Sequence, residues 1–215
     1  IYTQAYQKEA TAKLIQWKTT EHTPSNPLVV LNPYGTMSTS LYYYATTETP
    51  SYVICTITAK GAETITCQLV NDGTDQLTTK HEYLIPNLAV GKTNYIRLQF
   101  FDESQNLMEE HSFSYKPKAD KVIPKITKVK KGTSKATVSN GIYAVLGHDK
   151  SKATNIYYYD NNGVSRGRTP LNGYRTDRIL TIDGKWVFSY DLNKLAVMNR
   201  LGRIEKTITL KGYQL

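Results

Sequence analysis

The strongest constraint on this chain is repetition near its C-terminal end. Asp160-Asn-Asn-Gly163 recurs as Asn199-Arg-Leu-Gly202, and Leu171-Asn-Gly-Tyr174 recurs as Leu210-Lys-Gly-Tyr213. Both matches are displaced by 39 residues, so the two copies share one register. A period of about 40 residues filled with short strands and tight turns is the pattern of propeller blades. A blade buries its faces only against neighbouring blades. The stretch from Asn155 to Tyr213 therefore predicts about two blades of a larger ring.

Turn chemistry supports this reading. Residues 155–160 and 164–168 form a predicted hairpin around Asn161-Asn-Gly163, and 194–199 and 203–210 form its counterpart around Arg200-Leu-Gly202. Between them, 178–182 and 185–190 turn at Asp183-Gly184, a strong two-residue hairpin signal. Residues 142–146 supply a further strand. Asp160, Asn161, Gly163 and Asp183 read here as turn formers, not catalytic groups.

Upstream, Tyr6, Ala10, Leu14 and Trp17 recur at helical spacing and predict a short amphipathic helix over 3–17. Thr23-Pro-Ser-Asn-Pro27 breaks the chain. From there the text is strands and turns, with strands expected at 28–31, 41–46, 52–58, 64–70, 82–85, 94–101 and 107–115. Seventeen Tyr and many Thr favour β structure, and about seven short strands suggest a small immunoglobulin-like sandwich. Hairpins are expected at Lys60-Gly-Ala62 and at 102–106. The fold class is thus mostly β: an N-terminal β-sandwich followed by a partial, two-blade propeller. The boundaries are a lead-in at 1–25, the sandwich at 26–116, a linker at 117–135 and the blades at 136–215.

Cys55 and Cys67 stand symmetrically about Gly61, each on the apolar face of its predicted strand. A three-residue loop places their sulfurs opposite each other, which permits a disulfide in an exported protein. Two free core thiols are the other reading. With no CxxC spacing, no zinc or redox motif is expected.

The formal net charge is +9, but Lys116 to Lys135 alone holds eight Lys against Asp120. The remainder is close to neutral, so the basic run reads as a solvated connector and not as a nucleic-acid footprint. Pro117 and Pro124 break this connector, and 122–126 could still add an edge strand. No run reaches the roughly 20 apolar residues of a membrane span. The chain begins at Ile1, not Met, so its natural N-terminus is expected to have been removed, an export signal being one candidate for the missing piece.

Motifs for serine hydrolysis, P-loop phosphate binding, zinc peptidase and dinucleotide chemistry are all missing. His22, His81, His111 and His148 have no metal-ligand spacing and read as surface or hydrogen-bonded histidines. Glu109 and Glu110 are strand neighbours that face opposite ways. No cofactor and no metal are expected.

Two stretches carry a family resemblance. Asn32-Pro-Tyr-Gly35, preceded by Asn26-Pro-Leu-Val-Val-Leu31 and followed by Leu41-Tyr-Tyr-Tyr44, resembles the lead-in to the N-terminal sandwich of bacterial arylsulfate sulfotransferases. The run from Tyr159 through Arg178-Ile-Leu-Thr-Ile-Asp-Gly184 and Val197-Met-Asn-Arg-Leu-Gly-Arg203 to Leu215 looks like the first blades of that family's six-bladed propeller. The resemblance covers residue 26 onward. It implies an exported enzyme, extracellular, at the cell surface or periplasmic, that moves a sulfuryl group from an aryl sulfate donor to a phenolic acceptor through a histidine intermediate. In the family a His-His-Asp stretch follows the phrase like Gly212-Tyr-Gln-Leu215. No catalytic residue therefore carries over, and a chain ending at Leu215 is expected to be inactive.

The repeat adds one expectation. The position after Leu215 corresponds, 39 residues back, to Asp177. Arg175 and Arg178 are thus candidates to face the anionic substrate funnel, the alternative being pairing with Asp177 or solvent. An open propeller also leaves sheet edges unpaired, so self-association, including a homodimer, is expected. The contrasting reading is a non-enzymatic envelope or adhesion module that binds glycan or protein through Tyr157, Tyr158 and Tyr159.

Overall fold

The computed structural model describes residues 1–72, 77–126, 128, 130, 141–146, 154–173 and 175–212. The fold is mostly β, with several antiparallel sheets, none of them closed among the described residues. Tyr174, Tyr213, His148 and the linker residues 131–135 lie outside the described residues.

Helix α1 (Gln4–Trp17) begins behind Thr3, whose hydroxyl accepts from the Tyr6 amide as an N-cap. Its buried face is Gln7, Ala10 and Leu14. The expected face also held Tyr6 and Trp17, but these remain 38% and 43% exposed. Gln7 explains the rotation. Its Nε2 donates to the Ile1 and Tyr34 carbonyls, and its Oε1 accepts from the Ile204 amide. A carboxamide with three backbone partners can occupy a core face, and apolar periodicity does not detect it.

The next elements are β1 (Leu28–Leu31), β2 (Leu41–Ala59), β3 (Ile65–Leu69), β4 (Thr78–Ile85), β5 (Asn94–Phe101) and β6 (Leu107–Tyr115). β2 is a single 19-residue strand where two were expected. Thr47 to Pro50 was read as a break, yet the backbone stays extended there and only the register shifts, between Thr46 and Ser51. Proline is compatible with such a position because no ladder partner needs its missing N–H. The first half of β2 pairs with β1 and β4, and the second half with β3 and β5, with β6 beyond. Leu41, Tyr43, Ala45, Val53, Cys55 and Ile57 all fall on one face of β2. They share a core with Tyr83, Ile85, Ile96, Leu98 and Phe100. On the opposite face Tyr42 packs with Ala10, Leu14, Tyr34 and Leu201.

After the linker come β7 (Ile142–Val145), β8 (Asn155–Asp160) and β9 (Ser165–Pro170), a three-stranded sheet. β10 (Ile179–Ile182), β11 (Lys185–Asp191), β12 (Lys194–Met198) and β13 (Ile204–Thr209) form a four-stranded meander. β10 and β11 turn at Asp183 (φ 48°) and Gly184 (φ 73°), the two positive φ values of a type I′ hairpin. The 39-residue repeat holds hydrogen bond for hydrogen bond. Asp160 N donates to Val164 O as Asn199 N does to Arg203 O, at 3.1 and 3.0 Å. Oδ1 of Asp160 accepts from the Asn162 and Val164 amides, as Oδ1 of Asn199 does from Leu201 and Arg203. The Leu171 N to Thr154 O bond recurs as Leu210 N to Asn193 O. Ile156 and Tyr158 of the first sheet share a core with Phe188, Tyr190, Ala196, Met198 and Ile204 of the second.

Residues 122–126 form no strand. Pro124 lacks a ladder donor, and the segment is held by side chains. Ile123 is buried with Tyr157 and Tyr159, and the Tyr159 hydroxyl donates to the Pro124 carbonyl.

Candidate functional site

The residues around Asn32-Pro-Tyr-Gly35 tie the molecule together. Asn32 (φ 44°) and Gly35 (φ 77°) close a tight turn, with Gly35 N donating to Asn32 O and Met37 N to Asn32 Oδ1. The turn delivers 36–40 onto β9 and onto the β12–β13 turn. The Thr36 hydroxyl donates to Gly202 O, and the Thr39 hydroxyl to Arg166 O. Ser38 N donates to Arg168 O, while Arg168 N donates to the Ser38 hydroxyl. Gly167, at φ 107°, makes this approach feasible, since a side chain there would run into Thr39. On β13, Ile204 N and Glu205 O are met by Gln7 and Gln4 of α1. None of these polar contacts was legible from sequence, because short hydroxyl residues in a turn carry no periodic signal.

A second tie is ionic. Asp160 and Arg166 are both fully buried and 2.8 Å apart. Asp160 also accepts from the Glu63 amide, and Arg166 Nη2 donates to the Glu63 carbonyl. The Glu63 carboxylate accepts from Asn161 N and Nδ2. The tip of the β2–β3 hairpin is thereby docked on the β8–β9 turn. Asp160 and Asn161 keep the expected turn role, and Asp160 additionally holds this buried guanidinium.

Arg175 and Arg178 lie just ahead of β10. Arg175 Nε is 3.3 Å from Asp177 Oδ1, and Arg178 is exposed. Cys55 and Cys67 are direct cross-strand partners, the register that a three-residue loop about Gly61 gives, and both are free thiols in this structure. Burial raises both thiol pKa values, most strongly for Cys55.

Tyr157, Tyr158 and Tyr159 offer no surface. All three are buried, because β8 is the central strand of its sheet and both its faces are covered. Tyr158 lies in the core shared by the two sheets, and Tyr157 and Tyr159 lie under Ile123. This removes the residues on which an adhesion reading rested.

Among the described histidines, His22 bonds to Thr20 and the Trp17 carbonyl, and His111 pairs with Glu109. Glu110 turns the other way, to Gln99. His81 sits between the Thr47 and Ser51 hydroxyls on one side and the Tyr83 phenol on the other. It is sealed from solvent, and burial pushes its pKa down to about 4. A hydroxyl beside an imidazole with no access for substrate is core hydrogen bonding, not a catalytic pair. Among the described residues no group of three or more His, Cys, Asp or Glu is placed to hold a metal ion. No helix of the described chain is long and apolar enough to cross a membrane. No model of a known protein family matches the chain, and a comparison with curated proteins finds no relative.

Proposed function

We propose that the chain is the N-terminal part of an exported arylsulfate sulfotransferase, a two-layer sandwich followed by the opening blades of a six-bladed propeller. One observation carries the reading: the Asn32-Pro-Tyr-Gly35 turn clamps the first β region onto two sheets that share one turn geometry at a 39-residue spacing. That is the order of parts the resemblance calls for, with its most specific motif at the joint.

The chemistry belongs to a histidine beyond Leu215. Its ring nitrogen attacks sulfur, the aryl oxygen leaves as phenolate, and a second phenol oxygen takes the sulfuryl group from nitrogen while losing its proton. Splitting the transfer in two lowers each barrier. On this reading Arg175 and Arg178, leading into β10, would stabilise charge on the sulfuryl oxygens. The adhesion alternative has lost its tyrosines to the core and is not retained.

The test is transfer from 4-nitrophenyl sulfate to phenol by the protein extended past Leu215. Phenyl sulfate and 4-nitrophenolate should appear in equal amounts. Absence of transfer by a folded, extended protein overturns the proposal. In that protein the Arg175→Ala, Arg178→Ala double variant should lose about 10- to 100-fold in kcat/KM. Wild-type activity would remove the two arginines from the site while leaving the enzyme reading intact.

A further inference from the structure

A cavity of about 270 Å³ lies where β3 and β4 meet the β10–β11 and β12–β13 turns. Met37 and Met198 line it as buried residues, and Leu84 and Trp186 as half-buried ones. Arg200 stands exposed at its rim, and Asn87 contributes an amide. Among the described residues no carboxylate lines it.

Arg200 is held in an unusual way. A Cβ built on Gly184 would lie 2.7 Å from its Nη2, 2.8 Å from Nε and 3.1 Å from Cζ. Nη2 and Nε are both nearer than Cζ, so the guanidinium turns its Nε–Nη2 edge toward Gly184, while the terminal Nη1–Nη2 end of this exposed side chain is left for a ligand. Among the described residues no hydrogen bond or ion pair engages it. Of the carboxylates on neighbouring elements, Asp72 accepts from Asn199 at 2.6 Å and Glu205 from Lys185 at 2.6 Å. The Trp186 indole N–H likewise has no partner among the described residues. The cavity thus combines an apolar wall of one indole and two thioethers with donors that lack acceptors.

We propose that this cavity binds a small aromatic carboxylate. The ring packs against Trp186 and the methionine sulfurs, contacts that favour an aromatic over an aliphatic body. The carboxylate meets the terminal Nη1–Nη2 fork of Arg200, to which its two oxygens are matched. The cavity is at the lower end of ligand-site volumes, which suits one ring and one anionic group. Neither Arg175 nor Arg178 lines it, so the proposal does not rest on sulfuryl transfer and survives or fails without it.

The test uses residues 1–215 carrying Trp17→Phe, which leaves Trp186 as the sole tryptophan. Titration with 4-nitrobenzoate should quench Trp186 fluorescence saturably. Neutral 4-nitrobenzamide should bind at least about tenfold more weakly, and so should 4-nitrobenzoate to the Arg200→Gln variant. Arg200 is exposed, so this variant should fold, and an unchanged thermal transition checks that. No saturable quenching, equal binding of acid and amide, or unchanged affinity in Arg200→Gln overturns the site. Tighter binding of 4-nitrobenzenesulfonate than of 4-nitrobenzoate overturns the carboxylate assignment.

Discussion

Acidification should cost this fold stability through one buried imidazole. His81 is fully buried with three neutral partners, the Thr47, Ser51 and Tyr83 hydroxyls, and Phe100 stands edge-on to its ring. Burial lowers its pKa from the ordinary 6.5 to about 4. Above about pH 6.5 the ring is neutral in both the folded and the unfolded chain, and it contributes nothing to the pH slope. Below that, the unfolded chain binds a proton that the folded chain refuses, so stability falls with pH until the folded ring also protonates near pH 4. A shift of this size corresponds to about 3 kcal/mol, a large share of a typical domain's stability. Urea unfolding of wild type and His81→Gln, followed between about pH 7 and pH 4, isolates the effect, since the difference subtracts every carboxylate common to both. Gln is polar and roughly the right size, but it does not titrate. The variant should start less stable at neutral pH, and the gap should shrink by about 3 kcal/mol on acidification. Parallel curves would refute the reasoning, because they would mean that the folded ring takes up its proton as easily as the unfolded one.

Other perturbations probe the ties between sheets. Asp160→Ala strands the buried Arg166 guanidinium and should cost about 3–5 kcal/mol in urea unfolding, and adding Arg166→Met should recover only part of it, because the Glu63, Asn162 and Val164 amides still lack the carboxylate. Gly167→Ala places a methyl against Thr39 at a left-handed backbone position and should lower stability by about 1–3 kcal/mol, read as a lower Tm. Cys67 should react with a small aromatic disulfide more slowly than free cysteine, and Cys55 only on unfolding, because burial disfavours both thiolates. The edge strand β10 exposes Leu180 and Ile182 at 52% each, so residues 1–215 should self-associate in sedimentation experiments, and Leu180→Lys with Ile182→Lys should suppress it.

Much of the secondary structure could be read from the residues because local chemistry determines it. The Asp183-Gly184 turn, the Gly61 hairpin with its paired cysteines, and the twin turns at Asp160 and Asn199 are all fixed within a few residues. Failures arose where a distant partner decides. Gln7 turns α1 because Ile204, 197 positions away, needs an acceptor. Thr47 to Pro50 reads as a break, but β4 pairs with β2 on both sides of it, so the backbone stays extended across a register shift. Tyr157, Tyr158 and Tyr159 look like a sticky surface until the linker's Ile123 and the second sheet cover them. The candidate site fared similarly. Arg175 and Arg178 could be proposed from the repeat alone, whereas the clamp hydroxyls of 36–40 become visible only when residues some 130 or more positions apart are brought together.

The distribution of covered and uncovered strands bears on what the two later sheets are. A sheet edge exposed to water invites pairing, so folded proteins protect it. Here the protection is one-sided. β9 is met by Ser38, Thr39 and Val90, and β13 by Gln4 and Gln7, through hydrogen bonds to backbone groups that an edge strand would otherwise present. At the other end of each sheet, β7 exposes Tyr143 and Val145, and β10 exposes Leu180 and Ile182. If these sheets were a finished surface, chance would not place apolar side chains on both strands at one end and polar caps on both at the other. The proposed reading of the two sheets as propeller blades accounts for the difference. On that proposed reading β9 and β13 are the outer strands, and β7 and β10 the inner ones that would face neighbouring blades. The motif Asn32-Pro-Tyr-Gly35 sits at the joint because the segment it turns reaches both sheets, Thr36 at the β12–β13 turn and Thr39 at β9.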